Sequence, residues 1–238
     1  MQALCFPSDA AANRDMEVLK LETVELETGD SIELGIIWLH GLGADGHDFE
    51  PVARELDLPF GARFVFPHAP VRPVTINGGM PMRAWYDILA LGPGGPEDED
   101  GIRSSAAAVR ALIDREIDRG LSRDRIVLAG FSQGGAIALY TATRETEPLA
   151  GAIALSTYLP LAADLDNEAT AASRETPVLM AHGSLDPLID ISFGTLSRNL
   201  LLAAGYHVKW RSYRIEHGVS PEEISDIGAW LAGLRTVT

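Results

Sequence analysis

Cysteine and basic residues are scarce in this chain of 238 residues. Cys5 is the single cysteine, so no disulfide can form within the chain and an oxidising compartment is not implied. Lys and Arg number 19 against 34 Asp and Glu, which gives a formal net charge of −15. Because nucleic acids and anionic membranes are polyanions, this charge disfavours both as partners.

Two further absences concern membranes and targeting. No apolar run approaches the length of a bilayer span, and the first residues lack the basic and apolar regions of a signal peptide. We therefore expect a soluble cytoplasmic protein without stable membrane insertion.

The apolar residues, 46% of the chain, are grouped into short runs that alternate with helical patterns. Continuous runs, typical of strands covered on both faces, lie at 35–39, 63–66, 126–129, 152–155 and 178–181, with a more alternating run at 208–213. Helical patterns fall between them, at about 48–57, 102–119, 134–146, 191–204 and 221–234. This alternation predicts an α/β fold with a mostly parallel central sheet and helices on both faces.

One domain is predicted for residues 16–238, after a loose extension of residues 1–15, because no repeat or linker divides the chain. Residues 17–26 alternate like a half-exposed edge strand, which we expect to pair antiparallel. Residues 70–101 break the rhythm with many prolines and glycines. We predict that this excursion is a lid or a pocket wall, and that its acidic run 97–100 is a surface loop.

A serine stands at the apex of a predicted strand, sharp turn and helix. Ser132 follows the run 126–129 and precedes an apolar pattern at 136–140, with Gly130 and Gly134 two residues to either side. Such a turn strains the serine backbone and presents its hydroxyl, and the glycines leave room where a Cβ would crowd the turn. We predict a nucleophile; the alternative is a glycine-rich turn that only connects a strand to a helix.

A nucleophilic serine needs a base, and the base needs an acid that orients it. On turns of this kind the partners follow the serine in the order Asp or Glu, then His. His217, in the loop after the last predicted strand, is the predicted base. His207 begins that strand and His182 ends an earlier one, so we expect structural roles for both.

Asp186 is the predicted acid, because it lies in the loop that leaves the strand at 178–181, at the carboxyl end of the sheet. Its competitor Asp190 is expected to cap the helix that starts at residue 191. Asp164 and Asp166 lie in a polar loop and are expected to be solvated.

Two backbone donors are needed for the oxyanion. We predict the N–H of Gln133, directly after the nucleophile, and the N–H of Leu42, in the glycine-rich loop 40–46. Gly41 lets the backbone of this loop approach a substrate closely. A phosphate-binding loop is the rival interpretation, but the lysine and hydroxyl of that motif are missing.

The substrate contacts are predicted on apolar side chains near these residues. Met82, Trp85 and Tyr86 belong to the predicted pocket wall of residues 80–88, and Leu185 stands beside the predicted acid.

Several stretches of the sequence together resemble the phospholipase/carboxylesterase family of α/β-hydrolases, which includes acyl-protein thioesterases and bacterial carboxylesterases. They span about residues 35–235 and lie at 38–46, 64–70, 73–79, 84–88, 130–136, 155–156 and 182–186. The run 130–136 is far more specific than a serine between two glycines. The resemblance implies an α/β-hydrolase fold, no metal or organic cofactor, Ser132, Asp186 and His217 as the triad, and Leu42 and Gln133 as oxyanion donors. Arg83 and Glu216 depart from the family pattern.

We therefore expect a serine hydrolase that cleaves carboxylic esters of short- to medium-chain acyl groups through an acyl-enzyme. An acyl-protein thioesterase or lysophospholipase is the alternative. A non-catalytic binding protein of the same fold is disfavoured, because the order Ser, Asp, His is intact. The expected partner is a small acyl ester, and a homodimer through the apolar excursion is left open.

Overall fold

The computed structural model describes residues 19–90 and 95–234. Within them the strands are β1 Thr23–Thr28, β2 Ile32–Leu39, β3 Gly61–Pro67, β4 Val71–Val74, β5 Met80–Arg83, β6 Ile126–Phe131, β7 Gly151–Leu155, β8 Val178–Gly183 and β9 Val208–Tyr213. The α-helices are α1 Glu50–Glu55, α2 Glu99–Asp118, α3 Gln133–Ala142, α4 Leu165–Glu168, α5 Ala171–Glu175, α6 Ile191–Ala203 and α7 Pro221–Gly233. The extension predicted for residues 1–15 lies outside the described residues, and the single domain stays a prediction.

The central sheet has seven strands in the order β1-β3-β2-β6-β7-β8-β9. Strand β1 pairs antiparallel with β3, and the other neighbouring pairs are parallel. The mostly parallel sheet and its antiparallel N-terminal edge strand are therefore confirmed. The parallel register brings the carboxyl ends of β2, β6, β7 and β8 to one edge, where connecting loops can meet.

Both faces of the sheet are covered, which explains why the strand sequences are continuously apolar. Alternate residues of β2 enter different cores: Ile37 packs with residues of α2 and α3, whereas Ile36 packs with residues of α1 and α7. Both isoleucines have no exposed area. This two-sided burial confirms the predicted helical layers.

The excursion contains an antiparallel hairpin in which β4 pairs with β5, a feature that the proline-rich sequence did not reveal. The prediction of a surface loop at 97–100 was wrong, because α2 already begins at Glu99. The Asp98 carboxylate caps this helix by accepting the N–H of Gly101, at 3.0 Å, and its other oxygen accepts the N–H of Asp87, at 2.8 Å. Acidic residues are favoured at a helix N-terminus, and here one also ties the excursion to the helix.

Candidate active site

Ser132 occupies a strained turn between β6 and α3. Its φ is 53° and its ψ is −123°, a backbone conformation that non-glycine residues rarely adopt. A Cβ added at Gly130 would lie 2.4 Å from the Gly134 backbone, and one added at Gly134 would lie 2.4 Å from the carbonyl oxygen of His40. The two glycines are therefore required by close backbone packing, as the motif predicts.

The turn is held by hydrogen bonds to the neighbouring strand β7 and to the loop that follows it. The Ser132 N–H donates to the carbonyl of Leu155, at 2.9 Å, and the Ser132 carbonyl accepts from the Thr157 hydroxyl, at 2.7 Å. These contacts involve the serine backbone, and within the described part of the chain the Ser132 hydroxyl has no hydrogen-bond partner.

Asp186 and His217 form a close pair. The distance between Asp186 Oδ2 and His217 Nδ1 is 2.6 Å, and the carboxylate is completely shielded from solvent whereas the imidazole is 13% exposed. The other carboxylate oxygen accepts the N–H groups of Leu188 and Ile189, both at 2.9 Å. The loop backbone thus fixes one oxygen of the acid, and the second faces the imidazole of His217, with Nε2 of His182 at 3.6 Å from the same oxygen.

The imidazole of His217 also lies against the nucleophile turn. Its ring centroid is 4.7 Å from that of Phe131, the residue directly before Ser132. The loop of His217 is bound to the loop of Asp186, because the N–H of Leu185 donates to the carbonyl of Ile215, at 3.0 Å. The structure therefore places the Asp186–His217 pair against the turn that carries Ser132.

The glycine-rich loop after β2 passes next to the nucleophile. A Cβ added at Gly41 would be 3.5 Å from the Cβ of Ser132. Gln133 is the first residue of α3, where backbone N–H groups lack intrahelical acceptors. Within the described residues neither the N–H of Leu42 nor that of Gln133 has a protein acceptor, so both can receive a substrate oxygen.

The predicted substrate contacts divide into surface and buried residues. Leu185 is 53% exposed, and Met82 is half-buried with its sulfur 4.0 Å from the position of a Cβ on Gly43. Trp85 has no exposed area and Tyr86 only 3%, so both lie beneath the surface. In this structure Trp85 and Tyr86 support the site from behind, and the half-buried or exposed Met82 and Leu185 face outward.

The side chain of Gln133 has a role that the sequence did not indicate. Its carbonyl oxygen accepts the N–H of Trp85, at 2.9 Å, and its amide nitrogen donates to the carbonyl of Tyr86, at 2.8 Å. These residues are 48 and 47 positions apart from Gln133 in the chain. The side chain of Gln133 therefore binds the excursion to the first turn of α3.

The competing candidates occupy structural positions. Buried His182 is hydrogen bonded through Nε2 to the carbonyl of Ile189, at 2.8 Å, and burial lowers its pKa. Asp190 caps α6 by accepting the N–H of Ser192, at 2.9 Å. His207 is exposed just before β9. The side chain of Glu216, whose orientation the sequence left open, is exposed to solvent.

The described residues contain no group of three or more His, Cys, Asp or Glu side chains arranged to hold a metal ion. None of their helices combines the length and the apolar composition that a bilayer crossing needs.

A strained serine turn and an acid–imidazole pair at the carboxyl edge of a seven-stranded, mostly parallel sheet define an α/β-hydrolase. Residues 26–234 match the family model described as phospholipase/carboxylesterase. The chain belongs to this family, as its motifs predict, and is a hydrolase of carboxylic ester or thioester bonds.

Curated relatives and solved structures agree with this assignment. Acyl-protein thioesterase 1 of Neurospora crassa is 41% identical over 208 residues, which cover 82% of this chain and 84% of the relative. Acyl-protein thioesterase 1 of Mycosarcoma maydis is 39% identical over 234 residues, which cover 91% and 97%. Among solved structures, acyl-protein thioesterase 2 of Zea mays is 31% identical with a TM-score of 0.80, covering 90% of this chain and 98% of that one. SOBER1 of Arabidopsis thaliana is 30% identical with a TM-score of 0.81, covering 84% and 98%.

Proposed function

We propose that this chain hydrolyses esters of short- to medium-chain acyl groups through an acyl-enzyme on Ser132, with His217 as base and Asp186 as the residue that orients it. The observation that carries the proposal is the 2.6 Å pair of Asp186 and His217 next to the strained serine turn. An imidazole whose Nδ1–H is held by a carboxylate keeps Nε2 free to accept a proton.

In the first half-reaction the hydroxyl oxygen of Ser132 attacks the ester carbonyl while His217 accepts its proton. The resulting tetrahedral oxyanion is stabilised by the N–H groups of Leu42 and Gln133, and the helix dipole of α3 adds to this stabilisation. When the intermediate collapses, the C–O bond to the alcohol breaks and His217 protonates the leaving alcohol. In the second half-reaction His217 takes a proton from water while the water oxygen attacks the acyl carbon; the bond from this carbon to the Ser132 oxygen then breaks, the imidazolium returns the proton to that oxygen, and the carboxylic acid leaves.

A thioester of an acylated protein is the second candidate substrate. The curated relatives cited above are named acyl-protein thioesterases, and exposed apolar side chains lie near the proposed acid and on the hairpin of the excursion. Leu185 is 53% exposed, Leu188 65%, Met80 60% and Val71 63%. These side chains favour an acyl group longer than acetyl, whichever atom carries it.

The decisive experiment replaces the nucleophile. Ser132→Ala should lower kcat for a p-nitrophenyl ester by several orders of magnitude, because the triad acts as a unit. The variant should also lose labelling by a fluorophosphonate while it keeps the cooperative unfolding transition of the unmodified chain. Ser184→Ala is the matched control, since Ser184 is an exposed serine close to Asp186 and should be dispensable.

Retention of most activity by Ser132→Ala, or labelling at another residue, would refute the assignment. A series of p-nitrophenyl esters from acetate to palmitate, compared with a palmitoylated peptide thioester, separates the two substrates. Highest kcat/KM on short and medium chains supports the ester proposal, and preference for the thioester peptide supports the second candidate.

A further inference from the structure

His40 directly follows β2, and both of its ring nitrogens have backbone partners. The ring is buried, with 1% of the residue exposed. Nδ1 lies 2.7 Å from the carbonyl oxygen of Gly41, and Nε2 lies 3.0 Å from the nitrogen of Ala69. The backbone N–H of Ala69 can only donate, so Nε2 must be the unprotonated acceptor. The proton of the neutral ring is therefore on Nδ1, which donates it to Gly41.

This ring keeps its neutral form in the pH range where esters are assayed. Burial lowers the pKa of His40 to about 4, so protonation does not compete near neutral pH. The residue is also held through its main chain, because the indole N–H of Trp85 donates to the His40 carbonyl, at 2.9 Å. A fixed backbone and a fixed tautomer leave the ring one hydrogen-bonding arrangement.

The carbonyl that His40 holds belongs to the same peptide group as the N–H of Leu42. No cis peptide bond occurs in the described residues, and in a trans peptide the C=O and N–H point in opposite directions. The Gly41 oxygen also accepts the N–H of Ala44, at 3.3 Å, but the ring makes the shorter contact, at 2.7 Å, and so helps to set the direction in which the Leu42 N–H points. The next peptide is fixed as well, since the N–H of Gly43 donates to the carbonyl of Arg83, at 2.8 Å.

We propose that His40 is a positioning residue, whose Nδ1–H holds the Gly41–Leu42 peptide so that the Leu42 N–H points at the substrate oxyanion above Ser132. The inference rests on the proposed function, because it deepens the role assigned to Leu42. A hydrogen bond accepted by the carbonyl also polarises the peptide and strengthens its N–H as a donor. His40 itself exchanges no proton with the substrate.

Two substitutions separate the two hydrogen bonds of the ring. In His40→Asn the side-chain amide falls near the position of Nδ1 and can still donate to Gly41. In His40→Gln the longer side chain reaches the position of Nε2 and can accept from Ala69, but the Gly41 carbonyl loses its short side-chain donor and keeps only the longer contact with the N–H of Ala44, at 3.3 Å. Each variant loses one of the two ring contacts, so their thermal unfolding midpoints should fall by similar amounts, whereas their activities should differ.

For His40→Gln we expect kcat to fall about 10- to 100-fold with little change in KM, since removal of a whole oxyanion donor costs about 10²- to 10³-fold. For His40→Asn we expect kcat to stay within about 5-fold of the unmodified enzyme. A trifluoromethyl ketone, which forms a tetrahedral oxyanion on the serine, should lose affinity for His40→Gln by the same factor as kcat/KM. Equal activity losses in the two variants, or no loss in His40→Gln, would overturn the inference.

A measurement on the unmodified enzyme keeps the inference testable if a variant does not fold. The ¹⁵N spectrum of the histidine rings should show His40 protonated at Nδ1 and not at Nε2, and the Leu42 amide proton should shift downfield when the ketone binds. The opposite tautomer, or a Leu42 amide indifferent to the ketone, would refute the inference. If the unmodified enzyme is not labelled at Ser132, the proposed function fails; if it is labelled but these signals are absent, only the role of His40 fails.

Discussion

Glu223 is a buried carboxylic acid, and its replacement should change how stability depends on pH. It lies in the first turn of α7 and has no exposed area. Within the described residues neither carboxyl oxygen has a hydrogen-bond partner. Burial above all, together with the nearby carboxylate of Asp226, raises the pKa of Glu223 to about 7.

The folded protein therefore holds a proton on Glu223 at pH values where the unfolded chain has released it. The pKa of Glu223 is about 7 in the folded state against the ordinary 4.5. The contribution of this side chain to the free energy of unfolding is therefore complete below about pH 4.5 and is lost as the pH rises to about 7. The free-energy change over that interval is about 3 kcal/mol, a large part of the stability of an ordinary domain. Glu223 thus lowers the stability of the folded state as the pH rises, whereas a carboxylate that is paired in the folded state raises the stability as the pH rises.

Glu223→Gln removes the titration while keeping the shape of the side chain. Between about pH 4.5 and 8, the free energy of unfolding of the variant should increase by about 3 kcal/mol relative to that of the unmodified chain. Urea unfolding at several pH values measures it, and Glu222→Gln, at the exposed neighbouring position, is the control that should show no such trend. A difference that stays constant with pH for Glu223→Gln would show that the acid is solvated or paired.

Two further substitutions test the supports of the site. A Cβ on Gly194 would lie 2.5 Å from Nδ1 of His182, so Gly194→Ala should displace that ring, cost about 1–3 kcal/mol in urea unfolding and lower kcat by loosening the loop of Asp186. Unchanged kcat and stability would contradict this. Gln133→Met leaves two buried backbone groups of residues 85–86 without partners, at about 1–3 kcal/mol each. An unchanged urea midpoint for Gln133→Met would refute that expectation.

Most strands of the sheet could be predicted, because a strand buried on both faces is a continuous run of apolar residues. The run 126–129 falls inside β6, and the run 178–181 falls inside β8. The helix α2 begins three residues before the apolar pattern at 102, and its first two residues, Glu99 and Asp100, are exposed acidic side chains that the apolar pattern does not include. Helix ends depend on capping groups such as Asp98, which apolar periodicity does not register.

The candidate site could be predicted as far as chain order decides it. Ser132, Asp186 and His217 follow different parallel strands, whose carboxyl ends meet at one edge, so their order and loop positions suffice. The burial of Trp85 could not be predicted in this way. It results from hydrogen bonds to residues 45 and 48 positions away, and an aromatic residue in a proline- and glycine-rich segment suits a pocket wall equally well.

Three of the histidines at the carboxyl edge of the sheet, His40, His182 and His217, differ in how they use their ring nitrogens. His40 and His182 are each 1% exposed, and burial lowers the pKa of both. A neutral ring has one N–H, and in each case it holds a loop carbonyl, that of Gly41 or that of Ile189. The Ile189 N–H in turn donates to Asp186, so each buried ring fixes a loop that the proposed reaction needs. Because burial favours the neutral form of these two rings, the proposed proton transfer falls to His217, the partly exposed imidazole that is paired with a carboxylate.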